Sequence, residues 1–307
     1  TNKSWEKYFT FAGAIVFIIT SISLTNYFLI KPTEFTSTTV KIVQSGIKQK
    51  LKWDRNELAQ NFQTHIDLSK QGQPADLIVW SETSSPYDLA NWEKARLAAT
   101  SMLTDNFLIT GFVHRRNNDV FNAIGIFSKD EIIELYFKNH LVPFGEYVPL
   151  KKFIPLKNIT NQIYDLSSGD GLKTITLKDL SFSPLICYEG IFSGQVVAKD
   201  SNPDFLLILT NDAWYGMSRG PYQHLDEARF RAIEEGKPVI RAGYNGISAV
   251  IDSHGRILKS LPLNEKGIID SQIPALGRET FYSITSYYPT LLFCFALMIM
   301  ILIRKKK

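Results

Sequence analysis

Leu180-Ser-Phe-Ser-Pro-Leu-Ile-Cys-Tyr-Glu-Gly-Ile-Phe192 reads as an apolar strand that stops at a thiol. Tyr188-Glu189-Gly190 then turns the chain into a segment expected to be helical as far as Lys199. A cysteine at a strand end, beside a helix N-terminus, lies in a field that favours thiolate. Taken alone, Cys187 reads more readily as a small buried apolar residue. Its meaning depends on what other strand ends carry.

Two further apolar runs end on reactive residues. Leu77-Ile-Val-Trp80 has the continuous apolar character of a strand buried on both faces, and it stops at Ser81-Glu82-Thr83. The run 132–137 stops at Lys138. Phe205-Leu-Leu-Ile-Leu-Thr210 is another buried strand, with Asn211-Asp-Ala-Trp-Tyr-Gly216 as its exit loop. Further strands are expected over 38–44, 107–113, 120–127, 172–177, 239–242, 247–251, 257–261 and 268–273. Helices are expected over 54–70 with Asp54 as N-cap, over 88–103, and over 221–235 with Pro221 at its start. The block Lys138-Asn-His-Leu-Val-Pro-Phe-Gly-Glu-Tyr-Val-Pro149 reads as loop.

Buried strands interleaved with helices and strand pairs predict an α/β fold with helices covering sheet faces. In such sheets ligands collect at the carboxyl ends of strands, so Glu82, Lys138 and Cys187 form a candidate active site. Each has an ordinary reading: a turn cap, a solvated strand-end charge, a core thiol. Together they have a mechanism. Glu82 can take the thiol proton, and Lys138 with the backbone N–H of Tyr188 can stabilise the oxyanion formed when Cys187 attacks an acyl carbon.

The ends of the chain carry a different signal. No charged residue occurs from Tyr8 to Ile30, a length that spans a bilayer core. A second uncharged stretch runs from Phe281 to Ile303, densest in apolar residues from Leu291, and is closed by Arg304-Lys-Lys-Lys307. Both are expected to be transmembrane. Lys3, Lys7 and the basic tail put both ends in the cytoplasm and the intervening residues on the other side. The first span is too long for a signal-peptide h-region, and no small-residue cleavage site follows it. The chain begins at Thr1 rather than Met, which suggests a piece of a longer protein. Cys187 is the one cysteine between the spans, so no disulfide forms within that region. The net charge of +4 owes much to the C-terminal tail and gives little support for nucleic-acid binding.

Gly216-Met-Ser-Arg-Gly220 fits the G-x-S-x-G serine elbow between a strand and a helix. That elbow needs a tight turn straight off the strand, whereas Ser218 lies well beyond Thr210. His224, His254, Asp226 and Asp252 supply no Asp-then-His pair at a useful separation. A serine hydrolase is therefore disfavoured.

A glutamate, a lysine and a cysteine at successive strand ends resemble the nitrilase superfamily of carbon–nitrogen hydrolases. More closely, Leu77-Ile-Val-Trp-Ser-Glu-Thr83, the Lys138–Pro149 block, Ile186-Cys-Tyr-Glu189 and Asn211–Gly216 resemble the apolipoprotein N-acyltransferase family. The resemblance runs from Thr38 to about Leu261 and includes Leu51-Lys-Trp-Asp54. It implies a four-layer αββα nitrilase-like sandwich outside the bacterial inner membrane, which falls over 31–280, between the two transmembrane helices expected from the uncharged stretches (1–30 and 281–307). It implies a ping-pong transfer from a phospholipid, through a Cys187 thioester, to the N-terminal amine of a diacylated lipoprotein.

In that scheme Glu82 is base then acid and Lys138 the oxyanion stabiliser. Glu146 orients Lys138, Glu189 and Tyr188 support the site, and Trp53, Trp214, Phe144 and Tyr147 shape the pocket or acyl path. No metal, cofactor or nucleic-acid partner is implied. The alternative is a membrane-tethered amidase that hydrolyses a small amide with the same three residues; the flanking spans and the apolar loop around Phe144 and Tyr147 favour a lipid donor. One departure stands out: the family carries several transmembrane helices before this domain, and here there is one.

Overall fold

In the computed structural model, which describes residues 3–149 and 165–305, side-chain alternation along the strands sorts the apolar residues into two sheets and their coverings. The first sheet holds β1 (Phe35–Gln44), β2 (Leu77–Trp80), β3 (Phe107–Arg116), β4 (Asp119–Phe127) and β5 (Ile132–Phe137). The second holds β6 (Ile175–Leu177), β7 (Leu180–Ile186), β8 (Phe205–Thr210), β9 (Val239–Gly243), β10 (Ser248–Ile251) and β11 (Ile257–Leu261). The last strand, β12 (Gly267–Pro274), returns to the first sheet beside β1.

Both sheets are wired alike. β1, β2 and β3 pair in parallel, and β4, β5 and β12 add antiparallel edges. In the second sheet β7, β8 and β9 are parallel, with β6, β10 and β11 antiparallel. Two antiparallel reversals separate β3 from β5, so β2 and β5 point the same way. Trp80 and Phe137 therefore end on one edge of the sheet.

The period of two along each strand sets the layers. Leu77 and Val79 of β2 pack with Leu207 and Leu209 of β8 between the sheets. Ile78 and Trp80 face outward onto α3 (Leu58–Ser69) and α4 (Glu93–Thr100). Leu206 and Ile208 face outward onto α5 (Gly220–Glu235). Each such fully buried side chain contributes about 1.5–3 kcal/mol. The expected αββα sandwich is what these contacts build.

Several boundaries differ from expectation. Asp54 does not cap a helix: its Oδ1 accepts the Asn56 N–H at 3.0 Å and its carbonyl accepts the Glu57 N–H at 2.9 Å, so it closes a turn before α3. Asp88 likewise serves a loop, accepting from the N–H groups of Ala90 and Arg115, and the helix after it is confined to α4. A four-residue helix, α2 (Gln49–Lys52), was not anticipated. Beyond Cys187 there is one 3₁₀ turn, Cys187–Ile191, rather than a helix to Lys199.

Residues Thr1–Glu34 form a separate unit whose helix, α1 (Lys3–Ile30), has a twenty-residue apolar stretch, Tyr8–Tyr27. At 1.5 Å per residue that is about 30 Å, the thickness of a bilayer core. Among the described residues it is the one helix long and apolar enough to cross a membrane. The second apolar stretch is interrupted: α6 (Phe281–Thr285) and α7 (Tyr288–Lys305) are separated at Ser286, whose φ is 52°. The apolar part of α7, Tyr288–Ile303, is shorter than the α1 stretch. Lys306 and Lys307 of the expected basic tail lie outside the described residues.

Candidate active site

β2 ends in a backbone turn that presents Glu82. Thr83 sits at φ 45°, unusual for a β-branched residue. The turn folds onto β3 at Gly111, where a Cβ would stand 2.5 Å from the Thr83 nitrogen and 2.8 Å from the Glu82 Cα. Glycine at that place lets the carboxylate sit against the sheet. Glu82 is buried, and its Oε1 accepts from Asn122 Nδ2 of β4 at 2.7 Å. Its Oε2 is buried with no hydrogen-bond partner among the described residues, leaving an oxygen able to receive a proton.

Lys138 follows β5 with its backbone fixed on both sides: its N–H donates to the Asn122 carbonyl and its carbonyl accepts the Gly169 N–H. The side chain is 1% exposed; Nζ lies 2.7 Å from Glu146 Oε1 and 4.0 Å from Glu82 Oε1. Burial works against the ammonium charge, but the Glu82 and Glu146 carboxylates outweigh it and hold the lysine above its usual range. Glu146 is itself held by the Val142 N–H, 2.8 Å from Oε2.

Cys187 follows β7 directly, with φ at 52°, a strained backbone position, and its side chain packs, partly buried, against the core between the sheets. Burial pushes the thiol up to about 12, with the Glu82 carboxylate adding to the rise. The Lys138 charge and a contact with the Thr210 side chain pull the other way without reversing it. This corrects the expected thiolate-favouring field: a single 3₁₀ turn carries little dipole, and a carboxylate stands beside the sulfur. The resting group is a thiol, which makes a base necessary.

Glu189 joins the two sides. Its Oε1 accepts from Tyr136 Oη at 2.8 Å and from the N–H groups of Asn139 and His140 at 2.7 and 3.1 Å, while Oε2 accepts from the Ile186 N–H at 2.7 Å. Burial raises its pKa, opposed by those four donors. One carboxylate thus ties the Lys138 loop to the cysteine strand.

The chain brings Glu82, Lys138, Cys187, Glu146 and Glu189 together. The aromatic candidates are more dispersed. Tyr188 packs against His140 and Phe192. Trp53 and Phe144 are about half exposed, Tyr147 is half-buried, and Trp214 is 67% exposed. Among the described residues no ring contact joins Trp53, Phe144, Tyr147 and Trp214 to one another. A cavity of about 250 Å³ borders the site at Asn139 and Glu189 without reaching Cys187.

Sequence reasoning missed two groups. Lys52 ends α2, buried, with Nζ donating to the Glu82 carbonyl and to Thr83 Oγ1 and lying 3.9 Å from the centre of the Tyr244 ring. Burial brings it down to about 7, against the pull of Glu82 and Cys187. The second group is Asp212, His224 and Arg241. Arg241 Nη2 meets both oxygens of Asp212 at 3.1 and 2.9 Å, and His224 Nδ1 lies 2.8 Å from Oδ1. These charges hold the Asp212 carboxyl well below the usual range despite its burial. His224 Nε2 faces the Cys187 carbonyl oxygen at 3.2 Å, so it supports the backbone at Cys187, and no contact with the thiol is found. The available signal was a charged residue inside a buried strand, Val239-Ile-Arg-Ala-Gly243.

The serine-elbow alternative dissolves in the same contacts. Ser218 Oγ accepts the Gly220 N–H at the start of α5, and Asp226 pairs with Arg229.

The model of the carbon–nitrogen hydrolase family matches residues 39–281. The chain is 43% identical over 265 residues to the apolipoprotein N-acyltransferase of Rickettsia prowazekii, covering 82% of this chain and 53% of that one. It is 36% identical to the protein of the same name from Caulobacter vibrioides, covering 80% and 50%. The chain thus spans about half the length of the curated relatives it matches. Among solved structures, a carbon–nitrogen hydrolase superfamily protein of Xanthomonas campestris aligns at TM-score 0.58 and 18% identity, over 82% of this chain and 94% of that one. A Nesterenkonia amidase of the nitrilase superfamily aligns at 0.56 and 17%, over 80% and 93%. At these identities the structural likeness speaks for the fold.

Proposed function

The chain belongs to the carbon–nitrogen hydrolase family, and on that premise we propose that it carries out phospholipid-dependent N-acylation of lipoproteins. The observation that carries this reading is the meeting of Glu82, Lys138 and Cys187 in a chain 36–43% identical to relatives named for that reaction.

In the first half-reaction Cys187 Sγ attacks the carbonyl carbon of a phospholipid acyl ester while its proton passes to Glu82. Lys138 Nζ and the Tyr188 N–H meet the oxyanion. The carbon–oxygen bond then breaks, Glu82 returns the proton to the departing alkoxide, and a lysophospholipid leaves behind a thioester. In the second half-reaction the α-amino group of a diacylglyceryl-cysteine attacks the thioester carbon. Its proton goes through Glu82 to the departing thiolate, and an amide is released. Supporting this assignment, the raised thiol and the unpartnered Glu82 oxygen complement each other as acid and base. Glu146 and Glu189 act as positioning residues for Lys138 and for the cysteine strand. Trp53, Phe144, Tyr147 and Trp214, large and at least partly exposed though not in ring contact with one another, are assigned to guiding the acyl chains at separate points around the site.

Such a donor is found in a membrane. The α1 stretch has the length to span one, and the apolar residues of α7 stand exposed, as a lipid-facing helix requires. The proposal places both helices in the bacterial inner membrane and the sandwich on its periplasmic side. A reporter inserted at Asn117, on the exposed β3–β4 hairpin, is expected to be active only in a form that works outside the cytoplasm. Activity of a cytoplasm-only reporter there overturns the topology.

The transfer is tested with phospholipid carrying a labelled acyl chain and a diacylglyceryl-cysteine peptide. Label in the peptide amide, with an equimolar lysophospholipid, is the expected result. Release of free labelled fatty acid without peptide acylation, or turnover of small amides instead, sinks the proposal in favour of hydrolysis.

A further inference from the structure

Thr210 is the last residue of β8, fully buried and the lone hydroxyl of an otherwise apolar strand. β7 and β8 run parallel with Ile186 beside Leu209, so the next step along both strands brings Cys187 beside Thr210. From that place the Thr210 hydroxyl is one of the groups that draw the Cys187 thiol down, against burial. Its Oγ1 also lies 3.0 Å from Asp212 Oδ1, which can only accept, so at rest the hydroxyl proton points at the carboxylate.

That leaves the hydroxyl with two partners, only one of which depends on it. Asp212 keeps both Arg241 contacts and the His224 contact if the hydroxyl turns away. It is also fixed in place, since a Cβ on Gly246 would lie 2.2 Å from its Oδ2. The sulfur has fewer resources. Lys138 is the charge opposing burial at Cys187, and in catalysis that ammonium is shared with the substrate oxyanion.

We propose that Thr210 is a further catalytic residue, whose hydroxyl rests on Asp212 and turns onto Cys187 Sγ as the thiolate forms. A hydroxyl needs only rotation about its C–O bond to change partners, and hydrogen bonds to an ionised sulfur are stronger than those to a thiol. His224, holding the Cys187 carbonyl, and Asp212, holding the hydroxyl, act as the fixed frame. The step is a proton reorientation only: no bond to carbon forms or breaks at Thr210.

The inference deepens the reading of Cys187 as nucleophile, and its test needs no lipid. Full-length protein is alkylated with iodoacetamide across pH, and modification of Cys187 is followed at the peptide level so that Cys294 is counted separately. In that reaction Sγ bonds to carbon and iodide leaves. The ionisable groups around Sγ are Glu82, Lys138, Lys52, Asp212, Tyr215 and His224; Thr210→Val removes one hydrogen bond from Asp212, which keeps its Arg241 and His224 contacts, and replaces none of these groups. Thr210→Val is expected to slow alkylation at neutral pH about tenfold and to move the profile up by about one pH unit. Thr210→Ser is expected to restore both. Thr210→Ala carries the same expectation as the valine variant if the latter does not fold. A parental rate and profile in Thr210→Val or Thr210→Ala, or failure of Thr210→Ser to restore them, overturns the proposal. Alkylation shifts as expected without any acyl transfer leave Thr210 in its role and refute the lipid reading instead.

Discussion

Glu82→Gln is expected to lower the rate of acyl-enzyme formation by at least about 10², the low end of what a general base contributes. The substitution preserves shape. The glutamine oxygen can still accept from Asn122 Nδ2, and the amide nitrogen takes the place of the unpartnered oxygen. What it removes is the ability to receive a proton from a thiol held up at about 12. An opposing effect exists, because Glu82 is also one of the charges that raise the thiol. Removing it leaves more thiolate at any pH and gives the variant a residual rate. Loss of the base outweighs that gain as long as the surroundings of the thiol keep it raised. Single-turnover acylation at neutral pH measures the balance; a rate within a few-fold of the parent takes away the assigned role.

Lys138→Met is expected to damage both folding and chemistry. The ammonium is buried between two carboxylates, 2.7 Å from Glu146 and 4.0 Å from Glu82. Removing one partner of a buried ion pair costs about 3–5 kcal/mol, because the remaining charges stay out of water. One of the two carboxylates is then expected to take up a proton near neutral pH. Loss of an oxyanion donor adds a rate penalty of about 10²–10³ on whatever protein folds. Thermal unfolding with proton-uptake measurement reads the first effect, and acylation of the folded fraction reads the second. Unchanged stability contradicts the buried pairing, and an unchanged rate contradicts the oxyanion role.

The strand ends were legible to different degrees. β2 is an unbroken apolar run buried along its whole length and so has a visible end. β5 is a half-exposed edge strand with Glu134 inside it and β7 carries two serines, so their ends show only as the last apolar residue before a polar or reactive one. Trp80, Phe137 and Ile186 mark such ends, and the residues just beyond them are the ones that converge. Helix starts were less legible. Asp54 and Asp88 have the composition of N-caps, yet their carboxylates satisfy turn N–H groups, a use that sequence pattern cannot separate from capping. The segment after Cys187 was misread for a related reason: Glu189 draws the chain into a tight turn by binding the Ile186 N–H and the Lys138 loop together. Lys52, Asn122 and the Asp212–His224–Arg241 group were invisible as a set because they lie on five different elements. Lys52 and Asp212 lie within stretches quoted for the family resemblance and His224 was weighed as a triad partner, while Asn122 and Arg241 show only as a polar side chain inside an apolar strand, β4 and β9.

The central claim is that Cys187 becomes acylated by a phospholipid. Intact-mass analysis after incubation with phospholipid vesicles, with and without hydroxylamine to cleave thioesters, tests it most directly. The account predicts one added acyl mass on Cys187, removed by hydroxylamine and absent from Cys187→Ala. An active preparation in which Cys187 never carries an acyl group, or one in which Cys187→Ala still acquires the hydroxylamine-sensitive mass, contradicts it.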